Sequence, residues 1–141
     1  MQRQNELIPR WITAEVLAGT TADLEHALAG LLLDTYRVTR RTPGGVWILR
    51  VHRAVPSLLK VRLDSHVLVT QAQGRLLSTA FPGVPQNELL LVGRIAVDMI
   101  YAGVEMLFDV PLNQRSVART IAGMVASHLS RIQARKTVEQ S

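Results

Sequence analysis

The spacing of apolar residues changes part-way along this 141-residue chain, and that change most limits the possible folds. Leu24, Leu28 and Leu31 recur at helical spacing, and Thr20 with Asp23 forms a capping-box pattern just ahead of them. From Tyr36 onward, apolar and polar residues alternate instead, which is typical of a half-buried strand. The sequence therefore predicts a helix over residues 21–33 with strands after it.

Turn residues divide the alternating region into short segments. The Thr-Pro-Gly-Gly run at 42–45 predicts a turn, so residues 36–41 and 46–53 are expected to pair as a hairpin. Further strands are predicted at 58–63 and 66–73. Gly74 marks another turn, after which residues 75–81 are a possible last strand.

Helical patterns flank these strands on both sides. Residues 10–18 look like a short helix that Gly19 ends, and residues 88–108 form a strongly apolar helix. A final helix is predicted over 114–135, capped by Asn113. We therefore expect a single α+β domain over residues 1–141, with about four antiparallel strands packed against helices and frayed ends at 1–8 and 137–141.

Positive charge is concentrated in the predicted hairpin region. Residues 35–63 contain seven Lys or Arg and no Asp or Glu, whereas the net charge of the whole chain is +5. In the expected hairpin register, Tyr36, Val38 and Trp47 share an apolar face, with Arg40 beside Trp47. Arg37 lies opposite Arg50 on the other face.

Like charges in that position destabilise a hairpin, so an offsetting negative group is expected. It would be an acidic residue from elsewhere in the chain, a partner protein or a phosphate. A sheet face with its charges solvated by water is the alternative. The candidate residues for binding an anion or a partner are Arg37, Arg41, Arg50, His52 and Arg62.

The apolar helix carries a second candidate group. Arg94, Asp98, Tyr101 and Glu105 lie at i, i+4, i+7 and i+11, so they share one stripe of an otherwise apolar surface. This stripe could form the edge of a pocket between sheet and helices, or an edge facing solvent.

Several function classes lack their required residues. The chain has no cysteine, and His26, His52, His66 and His128 do not have the spacing of metal ligands along a helix. Glycine-rich phosphate loops and nucleophile motifs are also missing from the sequence. We expect no metal and no cofactor, identify no catalytic residue, and regard an enzyme as the less favoured class.

Charges within the longest apolar stretch, residues 89–108, argue against a membrane partner, so a soluble cytoplasmic protein is expected. The leading hypothesis is a noncatalytic interaction domain that binds itself or a protein partner, either as a self-associating protein or as a small subunit of a larger assembly. Nucleic-acid or polyanion binding through the basic segment is the first alternative. A ligand-binding or enzymatic pocket is the second.

Overall fold

The computed structural model of the chain describes residues 6–54 and 74–140. These residues form the helices α1 (Leu7–Trp11), α2 (Ala14–Ala18), α3 (Thr21–Arg41), α4 (Gly45–Ala54), α5 (Gln86–Asp109) and α6 (Gln114–Gln140). Residues 74–80 are also helical.

The predicted α+β fold is wrong, because no residue of 6–54 or 74–140 is in a strand. Residues 36–41 are the last turns of α3, and residues 46–53 lie in α4. The possible last strand, 75–81, is replaced by the helical residues 74–80. The predicted strands at 58–63 and 66–73 lie outside the described residues.

The predicted turn after α3 is confirmed, although it joins two helices and not two strands. Thr42 ends α3 by donating its backbone N–H to the Val38 carbonyl. Gly44 then adopts a φ of 68°, in the left-handed region that favours glycine. The Gly45 N–H donates to the Thr42 carbonyl at 2.9 Å, and α4 starts there.

Two buried threonines explain why the end of α3 was missed. Thr35 and Thr39 are 3% and 1% exposed, and they continue the helical spacing of Leu28, Leu31 and Leu32. Their hydroxyls donate to the carbonyls of Leu31 and Thr35, at 2.7 Å and 2.8 Å. Because these local bonds satisfy the hydroxyls, threonine can occupy a buried helical face. A pattern based on residue polarity assigns the same positions to solvent.

Other helix boundaries follow the sequence closely. The capping box is confirmed: the Thr20 hydroxyl accepts from the Asp23 N–H, and the Asp23 carboxylate accepts from the Thr20 N–H, each at 3.1 Å. The Asn113 side chain accepts from the Ser116 N–H at the start of α6. The predicted helix 10–18 is instead two short helices, separated where the Thr13 hydroxyl caps α2.

Three long helices form the body of the protein. Helix α3 packs most extensively against α6 and also contacts α1, α2, α4 and α5. A side chain at Gly103 of α5 would collide with Ile121 of α6 and meet Leu32 of α3, so glycine permits this close approach. The core includes Leu32, Leu89 and Val104, each 0% exposed.

The directions of the long helices follow from their contacts. Gly103 lies against Leu32 and the Phe108 ring lies 5.0 Å from the Tyr36 ring, so α3 and α5 are parallel. The short connection and the contact of Glu88 with Arg135 make α5 and α6 an antiparallel hairpin. The division into one domain with frayed ends stays a prediction.

Candidate interaction surfaces

The predicted cross-strand pair of Arg37 and Arg50 does not form, because helices α3 and α4 replace the hairpin. Arg37 NH1 is 2.9 Å from the Asp34 carboxylate, one turn earlier in α3. Arg50 of α4 forms an ion pair with Asp109 at the end of α5. Each cation therefore has a carboxylate from its own chain. Pairs this exposed contribute about 0–1 kcal/mol to stability.

Of the remaining candidates of the basic segment, the structure describes the side chain of Arg41. Arg41 is exposed in the last turn of α3. His52 belongs to α4, and Arg62 lies outside the described residues. Among the described residues, these candidates form no enclosed anion site.

The aromatic partners of the arginines also differ from the prediction. Arg40 lies over the Tyr36 ring, at 5.8 Å from its centroid, and Arg50 lies over the Trp47 ring at 5.2 Å. Trp47 was expected to face the core, but it is 64% exposed. Tyr36, which was expected on the same apolar face, is buried.

The stripe on α5 combines different environments. Arg94 is exposed, Asp98 and Glu105 are half-buried, and Tyr101 is buried. Burial raises the pKa of the Tyr101 phenol, and the nearby Asp98 carboxylate raises that pKa further. The four residues therefore follow one helix edge whose exposure is greatest at Arg94 and least at Tyr101.

Tyr101 also lines a small internal cavity of about 50 Å³ where α1, α2, α3, α5 and α6 meet. The other lining residues are almost all apolar, and the Thr35 hydroxyl in its wall is bonded to a backbone carbonyl. Binding sites for drug-sized ligands are about 300–1,000 Å³. This cavity is too small and too apolar to support the enzymatic alternative.

A larger feature runs along the outer surface of the α5–α6 hairpin. This groove, which we call the seam, has a volume of about 460 Å³. Its lining residues are Glu88, Leu91, Val92, Ile95, Ala96, Met99, Met124, Val125 and His128. Leu91, Ile95 and Met124 are 59%, 49% and 58% exposed, so the seam is an apolar strip in contact with solvent.

Charged residues border the seam. At one end, Arg135 of α6 contacts Glu88 of α5, with 2.6 Å between guanidinium nitrogen and carboxylate oxygen. Along the outer edge of α5, Arg94 and Asp98 lie one turn apart, on either side of Ile95. This edge therefore carries one charge of each sign close together.

Sequence reasoning assigned most of the seam to the core. The apolar patterns of the helices predicted at 88–108 and 114–135 place Ile95, Met99 and Met124 in the core, but Ile95 and Met124 are 49% and 58% exposed. The apolar surface of α5 and α6 is wider than the part of it that α3 and the short helices cover. The sequence indicates how wide the apolar surface of each helix is, but it does not indicate which part of that surface faces solvent.

Within residues 6–54 and 74–140, no three His, Cys, Asp or Glu side chains are grouped to hold a metal ion. None of the described helices is long and apolar enough to cross a membrane. Comparisons with protein-family models, curated proteins and solved structures found no match.

Proposed function

We propose that this chain is a noncatalytic interaction domain of the cytoplasm that self-associates through the seam. The observation that carries the proposal is the exposure of Leu91, Ile95 and Met124 along one groove. Contiguous apolar surface on a soluble protein usually marks an interaction site. Covering the exposed half of each of these side chains would contribute about 1 kcal/mol.

A second copy of the chain is the occupant that the charge pattern favours. In a two-fold interface, the same surface of both copies meets itself. A two-fold axis near Ile95 would set α5 antiparallel to α5 of the second copy, with Leu91 against Met99. Arg94 of each copy would then lie near Asp98 of the other. The opposite charges on this edge therefore make it complementary to itself.

The other hypotheses have less support. Polyanion binding required a cluster of arginines, but Arg37 and Arg50 are paired with carboxylates of the chain itself. An enzyme requires a polar pocket with a reactive group. The internal cavity is small and apolar, and in the polar groove of about 400 Å³ beside α1 and α2 the Asp23 carboxylate is bonded in the capping box. Self-association through the seam requires neither an arginine cluster nor a polar pocket. Burying an apolar surface against a complementary partner is favourable in itself.

Charge reversal tests both self-association and its geometry. Sedimentation equilibrium would measure the dimer dissociation constant of the wild type, Arg94→Asp and Asp98→Arg. Each variant alone places like charges together twice in the dimer, so we expect about tenfold weaker association. An equimolar mixture of the two variants restores both opposite-charge pairs. It should therefore associate at least as well as the wild type.

The mixture also provides the folding control, because an unfolded variant could not be rescued by mixing. A wild type that remains monomeric at all concentrations refutes self-association. A wild-type dimer with no recovery in the mixture refutes the antiparallel α5 pairing and leaves self-association in place.

A further inference from the structure

A second exposed apolar surface lies at the end of the protein where α3 and α5 finish. The contact between Tyr36 and Phe108 places these two helix ends side by side. The ion pair of Arg50 with Asp109 then brings α4 to the same end, beside the loop at 110–113. We call this surface the basic end. Its residues are Arg40, Arg41, Trp47, Ile48, Val110 and Leu112, together with the ion pair of Arg50 and Asp109.

Large apolar side chains are unusually exposed at the basic end. Trp47 is 64% exposed, and Ile48, its neighbour in α4, is 45% exposed. Val110 and Leu112, in the loop after α5, are 46% and 42% exposed. Tryptophan is highly buried on average in folded proteins, so a ring this exposed calls for a reason.

Arginines lie at the same end of the protein as these apolar side chains. Arg40 and Arg41 are exposed in the last turn of α3, and within residues 6–54 and 74–140 neither is paired with a carboxylate. Arg50 lies over the Trp47 ring, so cationic and aromatic groups are adjacent. The surface therefore combines exposed guanidinium groups with aromatic and aliphatic side chains.

We propose that the basic end docks on a membrane surface rich in anionic phospholipid. Guanidinium groups bind lipid phosphates by paired hydrogen bonds, and a tryptophan ring favours the headgroup region. The aliphatic side chains would enter the outer part of the acyl region. A nucleic acid would satisfy the arginines but would leave Ile48, Val110 and Leu112 in water. An anionic membrane accounts for both components.

This contact is peripheral and does not require a helix that crosses the membrane. It departs from the expectation of no membrane partner, which rested on charges inside residues 89–108 and concerned spanning segments. It is also independent of self-association, because the seam and the basic end share no residue.

Vesicle flotation with the full chain tests the proposal. One set of vesicles is pure phosphatidylcholine, and the other contains about one third phosphatidylserine to supply the surface charge. The wild type should float with the anionic vesicles only. Since each arginine near such a surface adds substantially to binding, Arg40→Gln with Arg41→Gln should weaken partitioning about thirtyfold.

A matched double variant controls for total charge. Arg10→Gln with Arg75→Gln also removes two exposed arginines, but these lie in α1 and in the helical residues 74–80, outside both the basic end and the seam. It should retain most of the binding. Trp47→Ser should weaken binding while keeping every charge, because the ring supplies part of the apolar contact.

Three results would overturn the proposal. The first is a wild type that does not float with anionic vesicles at low salt. The second is an equal loss of binding in the control double variant. The third is salt-dependent binding to duplex DNA without vesicle binding, which would identify the occupant as nucleic acid.

Discussion

Replacing Ile95 by serine should separate the seam's role in association from its role in folding. Ile95 is 49% exposed in the protein, so about half of its apolar surface stays available to a partner. Complete burial of an isoleucine side chain is worth about 1.5–3 kcal/mol, and the remaining half therefore about 1 kcal/mol. Because Ile95 occurs twice in a two-fold dimer, the variant dimer loses about 2 kcal/mol of association free energy. Its dissociation constant should therefore be about thirtyfold higher than that of the wild type.

Ile48→Ser is the matched control, because Ile48 is 45% exposed, also lies in a helix and is outside the seam. Isoleucine and serine have similar helix propensities, so neither change should alter helix formation much. Sedimentation equilibrium of both variants measures the two dissociation constants. Equal values for Ile95→Ser and the wild type, or equal weakening by Ile48→Ser, would refute the assignment of the seam as the interface.

Three further predictions concern the fold and are measured by urea or pH denaturation. Leu32→Ala should lower the free energy of unfolding by about 2–5 kcal/mol, because Leu32 is fully buried where α3 meets α5. Leu91→Ala, at an exposed position, should lower it much less. Thr35→Val should change stability by less than about 1 kcal/mol, since its hydroxyl bonds only within α3; a large loss would show that the hydroxyl is needed. The hydrogen bonds from Thr20, first from its backbone N–H and then from its side chain, hold the pKa of Asp23 below its ordinary value of 3.8. A lowered folded-state pKa contributes stability that is present above pH 3.8 and lost as the pH falls through the folded-state value, so Asp23→Asn should lack this acid-dependent loss.

Local sequence signals predicted the helix boundaries well where the stabilising contacts are local. The capping residues Thr20 and Asn113 start their helices as expected, and Gly19 ends α2. Each of these interactions joins residues within one turn of helix, so its chemistry can be recognised in a short stretch of sequence. The same reasoning failed for residues 36–41 because threonine side chains can face either water or a helical core.

The candidate site could be predicted only in part. The sequence identified the apolar residues of α5 and α6, and it identified the excess of arginines around residues 35–63. It did not indicate that Asp34 and Asp109 would each neutralise one of those arginines. The second contact joins residues 59 positions apart, and no local pattern specifies which distant groups meet.

The sequence alone determined where most long helices begin and which residues have the chemistry to fill a core. Only the tertiary structure decided which apolar residues remain outside. Burial depends on how many neighbouring helices reach a given face, and that number is a property of the packed chain. Ile95 and Val97 are two positions apart in one apolar helix, yet Val97 is 8% exposed and Ile95 is 49% exposed. That difference, which arises from packing, is what makes the seam a surface.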